Sequence, residues 1–227
     1  MLKLDFLDNN YVDNRSLSEK VCEQLKIEIL SGEIKPGRHL TEAYICEKYG
    51  LSRPPVREII NRLAAEGYIS LIPNKGAVIE GFNSQIVDDL LYMRNHLYPQ
   101  AVQWAIERMT VDEFDLLQET IGFIQFYTKT GDVEKILKFC DGFDRIIYYA
   151  AKNPELESVM LKYDFIIRHS TKQGSYPMNF LEILRDEYEA IFNAVRKRNV
   201  PQGTEAAQVH IFRSILRIKA RKEPNIR

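Results

Sequence analysis

The sequence predicts a mostly α-helical protein, in which an N-terminal winged helix-turn-helix is followed by an all-helical antiparallel bundle. Two observations indicate the first part: two short amphipathic segments are joined by a tight glycine-containing turn, and an alternating stretch broken by "PNKG" follows them. One observation indicates the second part: beyond Ser84 the strand patterns cease, and long segments of helical periodicity follow one another. We therefore expect two domains, at residues 14–80 and 84–221.

The composition is that of a soluble globular protein, with 45% hydrophobic and 28% charged residues among 227 and a net charge of −1. Three aspartates within the opening "MLKLDFLDNNYVDN" argue against a secretory signal. No stretch approaches the roughly 20 apolar residues of a membrane span, so we expect no membrane partner. The three cysteines are widely spaced, which is typical of reduced thiols in a cytoplasmic protein.

Three helices are expected in the N-terminal domain, each with its own start or stop signal. The first begins near Ser16 or Ser18 and ends at Gly32, and the second follows Thr41 and ends at Gly50. Ser52 can cap the third helix, whose first turn tolerates two prolines because the N–H groups there have no helical partner. "GYISLIPNKGAVIEGF" then predicts two short strands joined by a turn.

The C-terminal domain is expected to contain six helices. Thr110 and Glu113 form a capping-box pattern, and Asp132 can cap the helix after it. Pro154 and Pro201 suit the first turns of later helices. The six helices are expected at about 84–109, 111–129, 133–151, 154–170, 179–198 and 202–221.

A local basic group marks the third helix as a candidate nucleic-acid contact. Ser52–Gly76 contains four basic and two acidic residues, although the whole chain is nearly neutral. Arg53 and Arg57 lie four residues apart, on the face opposite the apolar stripe, where guanidinium groups can reach phosphates or bind guanine. Lys75 and Gly76 stand at the hairpin tip. For Arg62 the simpler interpretation is a solvated residue that pairs with Glu58.

About fifty residues, "ILSGEIKPGRHLTEAYICEKYGLSRPPVREIINRLAAEGYISLIPNKGAVI", resemble the GntR-type winged-helix DNA-binding domain. The resemblance includes the patterns "SGxxxPGxxL", "SRxPVRE", "LxAEGxI" and the wing glycine. It implies that Arg53 and Arg57 contact operator DNA from the recognition helix and that Lys75 and Gly76 do so from the wing. We include Ser52, which opens the same helix. Ala43 departs from the family, since some members carry a DNA-contacting arginine there.

Most of residues 84–220 resembles the FCD effector-binding domain of the FadR-type branch, through its "R-x4-P", "YYAAKNP" and "E-x-x-A-I-x-x-A-V" segments. Many such domains hold a divalent metal on one aspartate and three histidines. The corresponding positions here are Cys140, Asp144, Tyr188 and His210. Because two imidazoles are lost, we expect no tightly bound metal or other cofactor; if an ion were held, Cys140, Asp144 and His210 would be its ligands.

By the same resemblance, Arg94 stands where the family often uses arginine to engage an acidic effector. We expect a small organic anion at Arg94, Asp144, Tyr188 and His210, with a structural ion pair of Arg94 as the alternative.

Together these features predict a ligand-responsive transcriptional regulator that binds an inverted-repeat operator as a homodimer. We expect it to be a repressor. Two alternatives are weaker. A hydrolase using Cys140 and His210, or a metal, lacks a nucleophile elbow, a phosphate loop and paired catalytic carboxylates. A helical regulator of the TetR type lacks the predicted wing.

Overall fold

The structure is a computed structural model that describes residues 14–73, 76–171 and 179–222, with the side chains up to residue 220. The chain divides into two compact units. Within the described residues, the first comprises 14–88 together with 166–171, and the second comprises 89–165 together with 179–222. No helix in these ranges is long and apolar enough to cross a bilayer.

The first unit is a winged helix-turn-helix, as the sequence predicts. Its N-terminal helix is capped by Ser16, which forms a capping box with Glu19. Gly50 ends the second helix at φ 67°, a left-handed conformation that glycine adopts without a Cβ clash. The elements are α1 (Leu17–Leu30), β1 (His39–Leu40), α2 (Glu42–Tyr49), α3 (Arg53–Ala65), β2 (Ile69–Ile72) and β3 (Gly76–Ile79).

The sheet has three antiparallel strands in the order β1-β3-β2, one more strand than the sequence predicts. β2 and β3 form the expected hairpin, with Ile69 opposite Ile79. β1 pairs His39 with Val78 and Leu40 with Ala77. A two-residue strand has no periodicity of its own, and this one is defined only by its partner far along the chain.

The core of this unit lies between the three helices and the sheet. The apolar stripe of α3 (Val56, Ile59, Ile60 and Leu63) is buried, as predicted, and α3 packs against α1 and α2. The most deeply buried side chains include Leu25, Ile29, Ile45, Val56, Leu63, Tyr68 and Ile79. Burial of one face of α3 leaves its opposite face exposed, which determines where Arg53 and Arg57 point.

Six helices of the described chain build the second unit, except for residues 84–88 and 166–170 at the ends of two of them, and their bounds agree with the predicted ones to within a few residues. The predicted caps form: Thr110 and Glu113 make a capping box, and the side chain of Asp132 accepts a hydrogen bond from the backbone of Lys135. The helices are α4 (Ser84–Arg108), α5 (Val111–Thr130), α6 (Val133–Ala150), α7 (Pro154–Ser170), α8 (Phe180–Arg196) and α9 (Val200–Lys222).

The helices of the second unit approach one another closely where α9 begins. A Cβ on Gly203, in the first turn of α9, would meet Cδ1 of Ile106 on α4, so the isoleucine side chain would have to shift. α5 packs along α6 and α8, and α8 packs along α9. The interior between them is mostly apolar, but it also encloses charged residues, among them Arg94, Asp144, Glu187 and His210.

Candidate functional site

The exposed face of α3 presents the two predicted arginines. The side chain of Arg57 is 65% exposed, and its Nε donates a hydrogen bond to Oε1 of Glu42 at 2.9 Å. Arg53, one turn earlier, is also exposed. Ser52 occupies the N-cap position but makes no side-chain capping bond, so the predicted cap is only positional and its hydroxyl remains exposed.

The guanidinium of Arg57 borders a hollow of about 470 Å³ between α2, α3 and the sheet. Polar and apolar residues together line this hollow. The lining consists of His39, Leu40, Thr41, Glu42, Arg57, Ile60, Asn61, Leu71, Gly76 and Ala77. The exposed face of α3 beside it carries side chains that can bind base edges if the helix enters a major groove.

Asn61 and Glu42 lie beside Arg57, and the sequence analysis did not single out either of them. Asn61 follows Arg53 and Arg57 at four-residue spacing, so the three side chains share one face of α3. That spacing could have identified Asn61 as a candidate, since asparagine can bind adenine through two hydrogen bonds. Glu42 belongs to another helix, and nothing in the sequence pairs it with Arg57.

Arg62 belongs to a different set of contacts. Its Nε lies 3.0 Å from Oε1 of Glu66, so the predicted pairing with Glu58 is wrong. Lys26 of α1 binds the same carboxylate and holds it at the end of α3. This contact from another helix outweighs the local preference for an acid four residues before the base. Arg62 therefore pairs at the end of α3, where Lys26 links the same carboxylate to α1, and it does not line the hollow.

The wing contributes Gly76 to the hollow, while Lys75 lies outside the described residues. Gly76 opens β3 at φ 78°, in the left-handed region, and a Cβ there would meet no atom within 4 Å. The backbone conformation, rather than lack of space, therefore favours glycine at this position.

Inside the second unit, Arg94 lies between two carboxylates. Its Nη2 lies 3.2 Å from Oδ2 of Asp144 on α6, and its Nε lies 2.5 Å from Oδ1 of Asp164 on α7. Tyr98 donates to Asp144 at 2.6 Å, and Tyr148 donates to Asp164 at 2.7 Å. A further donor to Asp144, at 3.3 Å, is Tyr188 of α8. We call these six residues the Arg94 cluster.

The Arg94 cluster contains two carboxyl groups for one guanidinium, and this imbalance affects protonation. Burial raises the pKa of Asp144 to about 7, against the opposing effect of Arg94 and with a contribution from Asp164. Because Asp144 accepts from Tyr98 and Tyr188, both hydroxyls serve as donors to it. The charge of Arg94 is thus already matched inside the protein.

A second polar group adjoins the cluster on α8 and α9. Nδ1 of His210 lies 2.9 Å from Oε2 of Glu187, and Arg217 contacts both oxygens of that carboxylate, at 2.8 and 2.9 Å. Burial would raise the pKa of Glu187, but hydrogen bonds from His210 and Arg217 lower it to about 2. The two groups meet where the ring of His210 lies 4.8 Å from that of Tyr188, centroid to centroid.

These contacts determine the tautomer of His210. Burial lowers the pKa of its imidazole, although Glu187 opposes the shift. An ionised carboxylate only accepts hydrogen bonds, so Nδ1 carries the proton and Nε2 retains a lone pair. The described residues provide no hydrogen-bond partner for Nε2.

The structure therefore brings together the four residues predicted to bind an effector: Arg94, Asp144, Tyr188 and His210. It also adds residues that sequence reasoning missed. Tyr98 lies four residues after Arg94 on the same helix, a spacing that could have indicated it. Asp164, Tyr148, Glu187 and Arg217 carry no comparable signal in the sequence.

The residues at the family's metal positions do not form a metal site in the described part of the chain, where no three His, Cys, Asp or Glu side chains are placed to hold an ion. The alternative ligands Cys140, Asp144 and His210 are therefore not placed to bind one ion together. Burial raises the pKa of the Cys140 thiol well above its ordinary value, and Asp144 and Asp141 add to that effect. A protonated thiol is a poor metal ligand.

Comparison with known proteins gives matches in both units. Residues 17–79 match the family described as "Bacterial regulatory proteins, gntR family", and residues 89–213 match the FCD domain. The regulator McbR of Escherichia coli K12 is 30% identical over 62% of this chain and 64% of its own length. The galactonate operon transcriptional repressor of the same organism is 23% identical over 89% of this chain and 96% of its own length.

The solved structure of E. coli McbR/YncC has the same fold. It superimposes with a TM-score of 0.68 at 23% sequence identity, and the alignment covers 92% of this chain and all (100%) of that chain.

Proposed function

Because the chain belongs to the GntR family of bacterial regulators and carries an FCD domain, we propose that it binds an inverted-repeat operator as a homodimer, through the exposed face of α3. The observation that carries this proposal is the row of exposed side chains formed by Arg53, Arg57 and Asn61 on α3. A single recognition helix reads few base pairs, and two-fold symmetry doubles the readout. The protein would act in the cytoplasm, where the operator lies.

In vitro selection from random duplex DNA tests the proposal. The wild-type protein is expected to enrich an inverted repeat, while Arg53→Ala/Arg57→Ala enriches none. The matched control is Lys138→Ala/Lys197→Ala, which removes the same charge from exposed positions of the helical unit and should select the wild-type sequence. If the wild-type protein enriches no sequence, the proposal is wrong.

The homodimer is proposed to form on an apolar surface of α4 and α9. Val209, Phe212 and Leu216 of α9 are exposed by 43%, 58% and 51%, which is unusual for large apolar side chains spaced along one helix face. They border a groove of about 650 Å³ whose α4 side includes His96 and Pro99. A second copy of the chain can cover such a surface by two-fold symmetry.

The Arg94 cluster is the proposed effector site, and its charges narrow the expected chemistry. An organic acid would bring a third negative charge to the single guanidinium of Arg94. Asp144 can relieve the repulsion by taking up a proton, because its pKa lies near 7. We therefore propose that the effector is a small organic acid bound together with a proton.

Repression rather than activation is proposed by analogy with the galactonate operon repressor. A reporter gene placed behind the selected operator tests this proposal. If the protein is a repressor, deletion of its gene should raise expression of the reporter. Hydrolysis is the less favoured alternative, because Cys140 is buried and its raised pKa disfavours the nucleophilic thiolate.

A further inference from the structure

Glu42 is held in place by the start of α2. It is the first residue of that helix, directly after Thr41, whose side chain caps the helix by accepting a hydrogen bond from the backbone of Tyr44 at 3.2 Å. Ile45, three residues on, is fully buried and anchors the same turn. The carboxylate of Glu42 is therefore presented to Arg57 from a fixed backbone, and its side chain is 34% exposed, against 65% for Arg57.

The contact uses one particular edge of the guanidinium. Nε of Arg57 donates to Glu42, and among the described residues no hydrogen bond engages the two terminal nitrogens, which can donate elsewhere. A guanidinium binds guanine by donating two hydrogen bonds to O6 and N7. Fixing Nε limits rotation of the side chain and leaves the terminal edge available for that pairing, so less conformational freedom is lost on binding.

The negative charge of Glu42 also changes which part of DNA suits Arg57. A carboxylate beside the arginine offsets its charge and is itself repelled by phosphates, so the pair is attracted less to the backbone than a lone arginine. Base edges carry no net charge, and the penalty is smaller there. From this geometry we infer that Glu42 is a positioning residue that directs Arg57 to a guanine base and away from phosphate.

The inference rests on the proposed operator binding, and one set of titrations separates the two. The operator selected by the wild-type protein, its single-base-pair variants and a non-specific duplex are titrated at several salt concentrations with wild type, Glu42→Gln and Glu42→Ala. Glu58→Gln is the matched control, because Glu58 is exposed on α3 and, among the described contacts, does not pair with Arg57.

Glu42→Ala is expected to reduce discrimination at one base pair of each half-site, a guanine, by roughly tenfold. It should also tighten binding to non-specific DNA and raise the magnitude of the salt slope by about one per recognition helix. Glu42→Gln should do the same in part, and Glu58→Gln should leave the guanine preference intact. In an Arg57→Ala background, Glu42→Ala should not change the preference further. Such loss at a single base pair is not expected from general loosening of the fold.

The outcomes are distinguishable. If the wild-type protein selects no sequence, operator binding itself is wrong. If it selects an operator but both Glu42 variants keep the full guanine preference and the wild-type salt slope, Glu42 does not position Arg57, while operator binding stands. Glu42→Gln keeps the side-chain shape, so the test remains decisive even if Glu42→Ala does not fold.

Discussion

Asp144 lies 3.2 Å from the guanidinium of Arg94, and both side chains are buried within the helical unit. Asp164 competes for the same guanidinium, so Asp144 has only a share of one positive charge. Removing one member of a buried ion pair is costly, because its partner is left charged and without compensation. Protonation of Asp144 removes one of the two negative charges beside Arg94. The stability of the unit should therefore depend on the protonation state of Asp144.

Asp144→Asn should alter the pH dependence of stability between about pH 4 and 7. The folded pKa of Asp144 is raised to about 7, so in this range the folded state holds a proton that the unfolded state has lost, and stability falls as pH rises. The charged and titratable groups around it include Arg94, Tyr98, Cys140, Asp141, Tyr148, Asp164 and Tyr188. Urea unfolding of wild type should show a decline of up to about 4 kcal/mol across this window, and the variant should lack it. Parallel profiles would contradict the prediction.

Glu187→Gln should act in a more acidic window and with the opposite sign. The folded pKa of Glu187 is lowered to about 2, so its contribution is present above its ordinary pKa and is lost as pH falls toward 2. Wild type should lose up to about 3 kcal/mol from this group on acidification. The variant should be less stable near pH 6 and flatter below pH 4.5 in urea unfolding. Glu189→Gln, on the same helix, is the control.

Organic acids should bind with uptake of a proton near pH 7.5. The measurement is calorimetric titration in buffers of different ionisation enthalpy, after a thermal-shift screen has found a stabilising acid. Wild type should take up as much as about three quarters of a proton per acid, because that share of Asp144 is then ionised in the free protein. Asp144→Asn should bind without proton uptake. If no acid stabilises the wild type, the effector belongs to another chemical class.

Arg57→Ala should weaken operator binding by about 1–3 kcal/mol with little change in folding, because the side chain is 65% exposed. Arg62→Ala is the control on the same helix and should bind almost normally, since Arg62 pairs with Glu66. Lys75→Ala should weaken binding to all sequences alike and lower the salt slope by about one. Fluorescence anisotropy measures all three.

Phe212→Glu should weaken or abolish the homodimer. Phe212 is 58% exposed on α9, and a charge buried in an apolar interface without a partner opposes association. Phe126→Glu is the matched control, because Phe126 is 57% exposed on α5. Light scattering at micromolar concentration is expected to give a dimer for wild type and for the control. A dimer for Phe212→Glu would place the interface elsewhere.

Features with a local cause could be predicted from the sequence, and features created by distant partners could not. The helix ends followed from local signals, such as the Thr110–Glu113 capping box and Gly50. β1 was missed because it is defined by its pairing with β3. The prediction that Arg62 pairs with Glu58 was wrong. Arg62 pairs with Glu66, which Lys26 on another helix also binds.

The buried site shows the same division. The resemblance to the FCD domain indicated Arg94, Asp144, Tyr188 and His210, and the structure brings these residues together. The resemblance did not indicate Asp164 on α7, which also pairs with Arg94 and changes the charge of the site. The chemistry of a buried group depends on its complete set of neighbours, and these come from separate segments of the chain.

The pairing of Arg94 has a consequence for the sensitivity of an acid sensor. Asp144 and Asp164 act as tethered rivals of any incoming acid, and their local concentration is far above that of a free metabolite. Binding becomes substantial only when the acid is abundant enough to overcome this built-in competition. Such a regulator would respond only at high concentrations of its effector. Acidification lowers the required concentration by protonating Asp144, so the internal pH of the cell would set the effector concentration at which the regulator responds.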